Sequence, residues 1–268
     1  MKSFIKNITK YRGLLFELIS RDVKLKYRRS VLGMFWTLLN PLLMMIVQYI
    51  VFSTLFRFDV PNYPVYLLTG QIMFTFFSEA TNLSMNSILS NSSLIRKVYI
   101  PKYIFPISKT LFSLVNFFFS LIALIIVLII THSHITATVL LFPIPIILLL
   151  LFGLGVGLFL AAVTVYFRDV MYIYGIILLA WTYFTPIFYP IKILGEFQWL
   201  EYFNPMYCYI EYFRELIMGV KVGIHSTVNP TQILAYPLNV LCVFYSVLAL
   251  SVGLLVFKKL QENFILHI

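Results

Sequence analysis

Long apolar runs alternate with short polar or charged segments along the chain. The first run covers residues 31–56 and contains no charged side chain. An apolar helix of about 20 residues crosses the roughly 30 Å hydrocarbon core of a bilayer, so this run is long enough to span a membrane. The later runs extend the pattern and predict an all-α integral membrane protein with six transmembrane helices, at about 31–56, 64–90, 107–131, 139–166, 171–189 and 233–257.

An amphipathic segment precedes the first span. We expect residues 1–30 to form a cytoplasmic domain whose helix, over 11–29, lies in the plane of the membrane interface. Its apolar face carries Tyr11, Leu14, Leu15, Leu18, Ile19 and Leu25. Its polar face carries Lys10, Glu17, Arg21, Lys24 and Arg28. Alternatively, the segment only orients span one, because basic flanks are common at first spans.

The stretch 191–232 differs from an ordinary loop because it is rich in aromatic and apolar residues. Within it, residues 206–218 are predicted to form a short helix, delimited by Pro205 and Gly219. A helix of this length cannot cross the bilayer. We therefore expect a re-entrant or interfacial outer hairpin before the last span.

Composition and charge fix the class of protein and its orientation. Hydrophobic residues make up 61% of the chain and charged residues only 11%, which is typical of a polytopic membrane protein. Counting Lys109 at the start of span three with the loop before it, sixteen of the 20 Lys and Arg residues fall on the side that the six-span topology places inside. This bias puts both termini, the loop 91–106 and the tail 258–268 in the cytoplasm. The net charge of +10 is concentrated before span one, which favours contact with anionic lipids over nucleic acid.

Two features inside the predicted spans have specific interpretations. Glu79 lies in span two, and a carboxylate at the centre of a bilayer costs about 2.5–3.5 kcal/mol. It should therefore border a conduit or contact a partner helix, unless it lies closer to the surface than the pattern suggests. Gly153 and Gly157 form a GxxxG motif in span four, which predicts close packing of helices.

Residues typical of catalysis are sparse. The carboxylates are few, the histidines lie apart, the two cysteines are too few for a metal site, and no GxxxxGK[ST] phosphate loop occurs. We expect no metal or cofactor bound by this chain, and a transporter or transporter subunit whose energy source lies elsewhere. A proton-coupled secondary transporter that uses Glu79 as its ion relay is an alternative. A membrane glycosyl- or acyltransferase is disfavoured by the missing acid–base groups.

Four stretches occur together in the order RDVKLKYRRSVLGMFWTLLNPLLMM, SNSSLIRKVYIPKYIFPIS, YFRDVMYIYGIILLAWTYFTPIFYP and NPMYCYIEYFRELI. They resemble the type-2 membrane permeases of the ABC exporters that move O-antigen, capsule or teichoic-acid polysaccharides. The resemblance implies a six-span permease of the bacterial plasma membrane. It would work as a homodimer with two copies of a P-loop ATPase, which would bind ATP and Mg²⁺, and would move a lipid-linked polysaccharide. The runner-up is an ABC permease for a smaller amphiphile, such as a drug or lipid.

The resemblance also assigns residues to roles. The loop after span two would hold the coupling helix that docks on the ATPase, and the turn after span four would join it. The coupling residues are thus Arg96, Lys97, Tyr99, Pro101, Arg168 and Asp169. Alternatively, Arg96 and Lys97 only follow the positive-inside rule. Aromatic rings can stack on the apolar faces of sugars. The hypothesised channel-lining residues are Glu79, Tyr183, Phe184 and Tyr189.

The basic cluster before span one is a candidate site for the lipid headgroup. Lys26, Arg28 and Arg29 should lie at the inner-leaflet surface, where a lipid-linked glycan presents its diphosphate. Guanidinium groups donate paired hydrogen bonds to phosphate oxygens, whereas lysine offers a point charge. The three residues are therefore hypothesised to capture the headgroup, although they could equally serve only to orient span one.

Overall fold

The computed structural model describes residues 9–28, 33, 35–55, 60–133, 137–219 and 237–267. Within these residues all regular structure is helical and no strand occurs, as the apolar pattern predicts. The helices are α1 (Arg12–Tyr27), α2 (Phe35–Leu55), α3 (Tyr63–Ser90), α4 (Ser92–Lys97), α5 (Ile104–Ile130), α6 (Pro143–Tyr166), α7 (Val170–Phe184), α8 (Pro205–Met218), α9 (Pro237–Leu260) and α10 (Phe264–His267).

Four helical segments in the described part of the chain are long and apolar enough to cross a membrane. They are Phe35–Thr54, Ile104–Ile130, Thr138–Tyr166 and Leu238–Asn263. Each coincides with a predicted span, so the chain has the helices of an integral membrane protein. The other two predicted spans correspond to α3, whose second half is polar, and to α7, which has 15 residues. The total of six spans therefore stays a prediction.

The helix of span five is shorter than predicted. We expected it to reach residue 189, but α7 ends at Phe184. Thr185 has an extended backbone, with φ −89° and ψ 132°. The ring of Pro186 disfavours the helical conformation for the residue before it, which explains the early end. The N–H of Thr185 still donates to the carbonyl of Trp181 at 3.0 Å, and residues 186–190 follow without a regular helical ladder.

Helix α3 is the centre of the structure. It packs against α2, α5, α6 and α8, and most of its side chains are buried. Its buried hydroxyl groups bond largely to backbone carbonyls, as when Thr81 donates to the carbonyl of Phe77 at 2.8 Å. Ser84 lies 3.0 Å from the hydroxyl of Thr110 and so links α3 to α5. Enclosure by other helices explains why α3 can be less apolar than its neighbours.

Glycines allow α6 to approach two helices at once. A methyl group added at Gly157 would overlap the side chain of Ser84 on α3, and one added at Gly155 would overlap the backbone of Ala249 on α9. Gly253 on α9 meets the backbone of Gly155 in the same way. The close packing expected from the GxxxG motif is therefore confirmed at Gly157, whereas a methyl group at Gly153 would make only ordinary contacts, 3.8 Å from Ala80 and Phe77.

The short helix predicted before the last span is present as α8. Asn204 caps it, because its side-chain oxygen accepts hydrogen bonds from the backbone N–H groups of Met206 at 3.1 Å and Tyr207 at 3.4 Å. Gly219 ends it with φ 63°, a left-handed conformation that suits glycine. Residues 220–236 lie outside the described residues, so the return limb of the predicted outer hairpin stays untested.

Arg214 of α8 is fully buried and joins three parts of the structure. Its Nη1 donates to the carbonyl of Pro186 at 2.8 Å, and its Nη2 donates to the carbonyls of Ile187 and Tyr66 at 3.1 Å each. The guanidinium also lies over the Tyr66 ring, 3.6 Å from its centroid, and 3.7 Å from the carboxylate of Glu211. Gly70 leaves the necessary space, since a methyl group there would overlap Nη2.

The segment after α7 is held by side chains in place of a helical ladder. Besides the two bonds from Arg214, the Tyr63 hydroxyl donates to the carbonyl of Phe188 at 2.6 Å. The Tyr66 hydroxyl lies 2.8 Å from the carbonyl of Tyr189. The four consecutive carbonyls of residues 186–189 thus all accept hydrogen bonds from α3 or α8. Buried backbone groups require such partners wherever water is excluded.

The buried apolar side chains form two clusters: a larger one around the first half of α3 and α8, and a second hydrophobic cluster at the far end of α3. Its buried side chains come from six helices of the bundle and from the short α10. They are Leu15, Leu18, Ile88, Ile95, Ile104, Phe105, Ile107, Leu158, Ala161, Ala162, Val165, Phe257 and Phe264. Tyr66 and Ile88 are separated by about 33 Å along α3 at 1.5 Å per residue. The Arg214 network and the second cluster therefore fasten opposite ends of the bundle.

We predict that Arg214→Met destabilises the folded protein by about 3 kcal/mol or more. The change leaves the carboxylate of Glu211 and several carbonyls without their buried donor. Thermal melting of the detergent-purified protein measures the loss, with Lys192→Met as the control because Lys192 is an exposed cation nearby. Adding Glu211→Gln should restore part of the stability. Wild-type melting of Arg214→Met would contradict the anchoring role.

Candidate functional site

The predicted coupling loop folds into the short helix α4 followed by an extended segment. Arg96 and Lys97 are exposed at the end of α4, and Tyr99 is 96% exposed. Ile95, by contrast, is 7% exposed and belongs to the second hydrophobic cluster. The loop therefore presents basic and aromatic side chains outward while an apolar residue holds it to the bundle. Such a surface can bind a partner protein.

Of the remaining residues assigned to coupling, Pro101 lies near Tyr99, whereas Arg168 and Asp169 lie on a different turn. Pro101 follows Tyr99 in the same extended segment. Arg168 and Asp169 form the exposed turn between α6 and α7. The structure thus brings four of the six residues into one surface segment and places the other two on a different turn. Docking of any partner on them stays a prediction.

The predicted headgroup and channel residues meet in a way that the sequence did not indicate. Lys26 of α1 forms an ion pair with Glu79 of α3, with Nζ 2.8 Å from Oε1. The same oxygen accepts a hydrogen bond at 2.9 Å from Asn116 of α5, and Asn116 accepts one at 3.0 Å from Tyr27. Glu79 therefore contacts two other helices, which is one of the possibilities expected for it, and its side chain is partly exposed.

A second ion pair ties α1 to the bundle. Asp22 is buried and accepts a hydrogen bond from Lys109 of α5 at 2.7 Å. Arg21 reaches Asp22 at 3.1 Å and Asn91 at 3.3 Å, at the end of α3. Leu15 and Leu18 pack in the second hydrophobic cluster, so α1 contacts the bundle through both apolar and polar residues. A bilayer position for its remaining apolar side chains is still a prediction.

Of the other two headgroup candidates, only Arg28 can be placed. It caps the end of α1 and is exposed, so its guanidinium faces outward. Arg29 lies outside the described residues. Of the two candidates that the structure describes, Lys26 is paired with Glu79, whereas Arg28 is exposed to solvent at the end of α1.

The three aromatic channel candidates lie together at the end of α7. Tyr183 and Phe184 are 63% and 73% exposed, and the hydroxyl of Tyr189 donates to the carbonyl of Tyr183 at 3.0 Å. Beside them is an open groove of about 510 Å³, lined by Ile177, Ala180, Trp181, Phe184, Phe203, Asn204 and Pro205. Glu79 is not part of this group. Whether the aromatics face a channel stays a prediction.

Asn204 fixes the groove. Its side-chain oxygen accepts a hydrogen bond from the indole N–H of Trp181 at 2.8 Å, and its amide donates to Thr185 at 3.0 Å. It also caps α8, so a single residue joins the end of α7, the segment after it and the start of α8. The wall of the groove is consequently well supported by hydrogen bonds.

Sequence reasoning did not identify several residues that organise these sites. Arg214 lies in the predicted outer stretch 191–232 and was assigned no role there, although charged residues in an otherwise apolar and aromatic helix signal a buried charge in need of partners. Asp22, Lys109 and Asn116 had no signal in the local pattern, because their partners lie far away along the chain. Within the described residues, no three His, Cys, Asp or Glu side chains cluster as metal ligands. The arrangement is suited to binding and conformational coupling.

Comparison with known proteins agrees with these features. A protein of Myxococcus xanthus named O-antigen export system permease protein RfbA is 33% identical over 196 residues, which cover 73% of this chain and 75% of that protein. A Klebsiella pneumoniae protein of the same name is 28% identical over 259 residues, 94% of this chain and 95% of its own length. A further Klebsiella pneumoniae relative has the same identity and coverage.

The family comparison covers most of the bundle. Residues 13–218 match the family described as ABC-2 type transporter. The match begins in α1, includes the coupling loop and the aromatic groove, and ends with α8. The chain is therefore a member of the ABC-2 type transporter family and an integral membrane subunit of a transporter.

Proposed function

We propose that this chain is the membrane permease of an ATP-driven exporter that moves a lipid-linked polysaccharide across the bacterial plasma membrane. The observation that carries the proposal is the nearly end-to-end similarity to a permease named for O-antigen export, over 94% of this chain. The polymer would be O-antigen, capsule or a teichoic-acid-like chain. Closely related permeases can carry different glycans, so the class of cargo is proposed and not its repeat unit.

The energy source in this proposal is a separate P-loop ATPase. Two copies would bind a permease homodimer, and they would hold the ATP and Mg²⁺ while this chain carries no cofactor. The docking surface would comprise Arg96, Lys97, Tyr99 and Pro101, with Arg168 and Asp169 on the next inside turn. The exposure of these residues beside a buried anchor, Ile95, supports the assignment.

The membrane topology follows from the same proposal. Both termini, the coupling loop and the Arg168 turn would be cytoplasmic, with six spans between them. Residues 191–232 would form a re-entrant hairpin at the outer surface, where the groove beside Trp181 and the exposed rings of Tyr183 and Phe184 would border the exit. Sugar rings passing there would stack on the aromatic faces while their hydroxyl groups stay hydrated.

Substrate capture is assigned to the opposite, cytoplasmic surface. The diphosphate of a lipid-linked glycan would meet Arg28 and Arg29 at the mouth of span one, where paired hydrogen bonds suit phosphate oxygens. Lys26 would contribute less than first expected, because its ammonium is already paired with Glu79.

Two alternatives are weaker. A permease for a smaller amphiphile would use the same fold and ATPase, and the named relatives favour the polysaccharide. A proton-coupled transporter would need a carboxylate that can gain and lose protons during transport. Glu79 is the natural candidate, but its ion pair with Lys26 and its bond from Asn116 favour a fixed structural role.

Reversing the charge of the coupling loop should uncouple the ATPase. We predict that Arg96→Glu with Lys97→Glu weakens ATPase binding at least about tenfold, which corresponds to 1.4 kcal/mol, and lowers export with it. Copurification and export assays measure the effect. Lys258→Glu with Lys259→Glu is the control, since it makes the same charge change at another adjacent exposed pair. Normal ATPase capture by the loop variant would refute the docking assignment.

Neutralising Glu79 should leave the energy source unchanged. We predict that Glu79→Gln exports at no less than about one fifth of the wild-type rate, because a partly exposed ion pair contributes about 1 kcal/mol at most. Export should still require ATP and resist a protonophore added at constant ATP. Lys26→Met removes the same pair from the other side and should match it. The proton-coupled alternative gains support if a protonophore stops wild-type export and Glu79→Gln removes that sensitive component alone.

A further inference from the structure

The C-terminal segment after α9 folds back onto the bundle. Phe264 is fully buried, with its ring centroid 5.4 Å from that of Phe257 and 6.2 Å from that of Tyr166. The Tyr166 hydroxyl donates to the carbonyl of Leu260 at 2.8 Å, just before the segment begins. A polar tail beyond a last span would ordinarily be solvated, whereas this one is anchored by an aromatic side chain.

The anchored tail contacts the coupling loop through Lys102. The ammonium of Lys102 donates a hydrogen bond to the backbone carbonyl of Gln261 and lies 5.4 Å from the centroid of the Phe264 ring. Burial lowers the pKa of this lysine from its usual value. Lys102 follows the exposed Tyr99 by three positions, so the tail holds the base of the segment that the proposed function assigns to docking.

The other end of the coupling loop reaches the same cluster. Ile95 of α4 is buried in the second hydrophobic cluster, which also contains Phe264 and the α1 residues Leu15 and Leu18. The loop is thus fastened at Ile95 and at Lys102, and the exposed residues Val98 and Tyr99 lie between the two attachments. Ile104 and Phe105, directly after Lys102, are also buried in this cluster, so loss of the Lys102 contact would loosen the segment without detaching it.

Fastening matters because an exposed loop loses conformational freedom when a partner binds it. A loop already held in its bound conformation loses less, and the partner binds more tightly. A rigid base also lets a movement of the partner be transmitted to the bundle, where a loose loop would absorb it. The tail therefore restrains the coupling loop at the surface where the ATPase would bind.

We propose that residues 261–267 are a positioning element for the coupling loop, which act through Phe264 and Lys102 to hold the ATPase-docking surface in place. The proposal rests on the proposed function for the identity of the partner. Its first consequence, the order of the loop, is a property of the permease alone.

The first test measures loop order without the ATPase. A spin label on Tyr99→Cys reports mobility, and the native Cys208 and Cys242 are both buried. A chain that ends at Leu260 and the variant Phe264→Ala should both give a more mobile spectrum than the full chain. Two controls accompany these variants. A label on Tyr172→Cys, an exposed position on α7, should keep the same mobility when the tail is removed. The substitution Leu266→Ala, at a side chain that is 80% exposed on α10, should leave the mobility of the label at position 99 unchanged.

The second test measures affinity for the P-loop ATPase subunit co-expressed with the chain. Lys102→Met keeps the apolar stem and removes the ammonium, and it should weaken binding about five- to tenfold, while Lys102→Arg keeps a donor and should bind nearly as wild type. Combining Lys102→Met with the shortened chain should be no worse than the shortened chain alone, since both changes break one contact.

The outcomes separate the two proposals. Unchanged mobility at position 99 in the shortened chain overturns the positioning role, whatever the ATPase does. Increased mobility with unchanged ATPase affinity also overturns it, because the order would then have no effect on docking. If the wild-type chain captures no ATPase, the proposed function fails, and the label still decides whether the tail orders the loop.

Discussion

The burial of one guanidinium group, that of Arg214, constrains the half of this structure that contains the aromatic groove. A buried cation is tolerated only when its donors are satisfied, and here the partners are backbone carbonyls of Tyr66, Pro186 and Ile187. The carbonyls of Pro186 and Ile187 are available because α7 ends before Pro186, whereas the carbonyl of Tyr66 belongs to α3. The guanidinium group requires the carbonyls that the end of α7 exposes, and those carbonyls require its N–H donors. Gly70 leaves the space for the guanidinium group.

The rest of the fold follows from the enclosure of α3. One end of this helix carries Tyr63 and Tyr66, which hold the segment after α7, and the other end carries Ile88 in the second hydrophobic cluster. Between them, Thr81, Ser84 and Ser87 are buried against other helices. A movement of the coupling loop at one end could reach the aromatic groove at the other through this single rigid element.

The sequence predicted the architecture better than its connections. Apolar runs and basic flanks indicate helices and their direction because both depend on local composition, and α8 was predicted from its flanking Pro205 and Gly219. The ion pairs of Lys26 with Glu79 and of Lys109 with Asp22 could not be read from the chain. Their members lie far apart in sequence, and only packing decides which charge meets which. Arg214 offered a signal, because it lies with Glu211 and Glu215 in an otherwise apolar and aromatic helix, and Glu211 is a local partner. Its backbone acceptors on α3 and on the segment after α7 could not be predicted, since they lie far away along the chain.

The central claim is that ATP hydrolysis by a separate subunit drives export of a lipid-linked polysaccharide through this chain. The most direct measurement uses sealed vesicles with the permease in the membrane. The ATPase and the lipid-linked polymer are both on the outer surface of these vesicles at the start. We predict that polymer appears inside the vesicles only when ATP is added, and that a protonophore does not stop it. Equal transport without ATP, or without the ATPase subunit, would contradict the account.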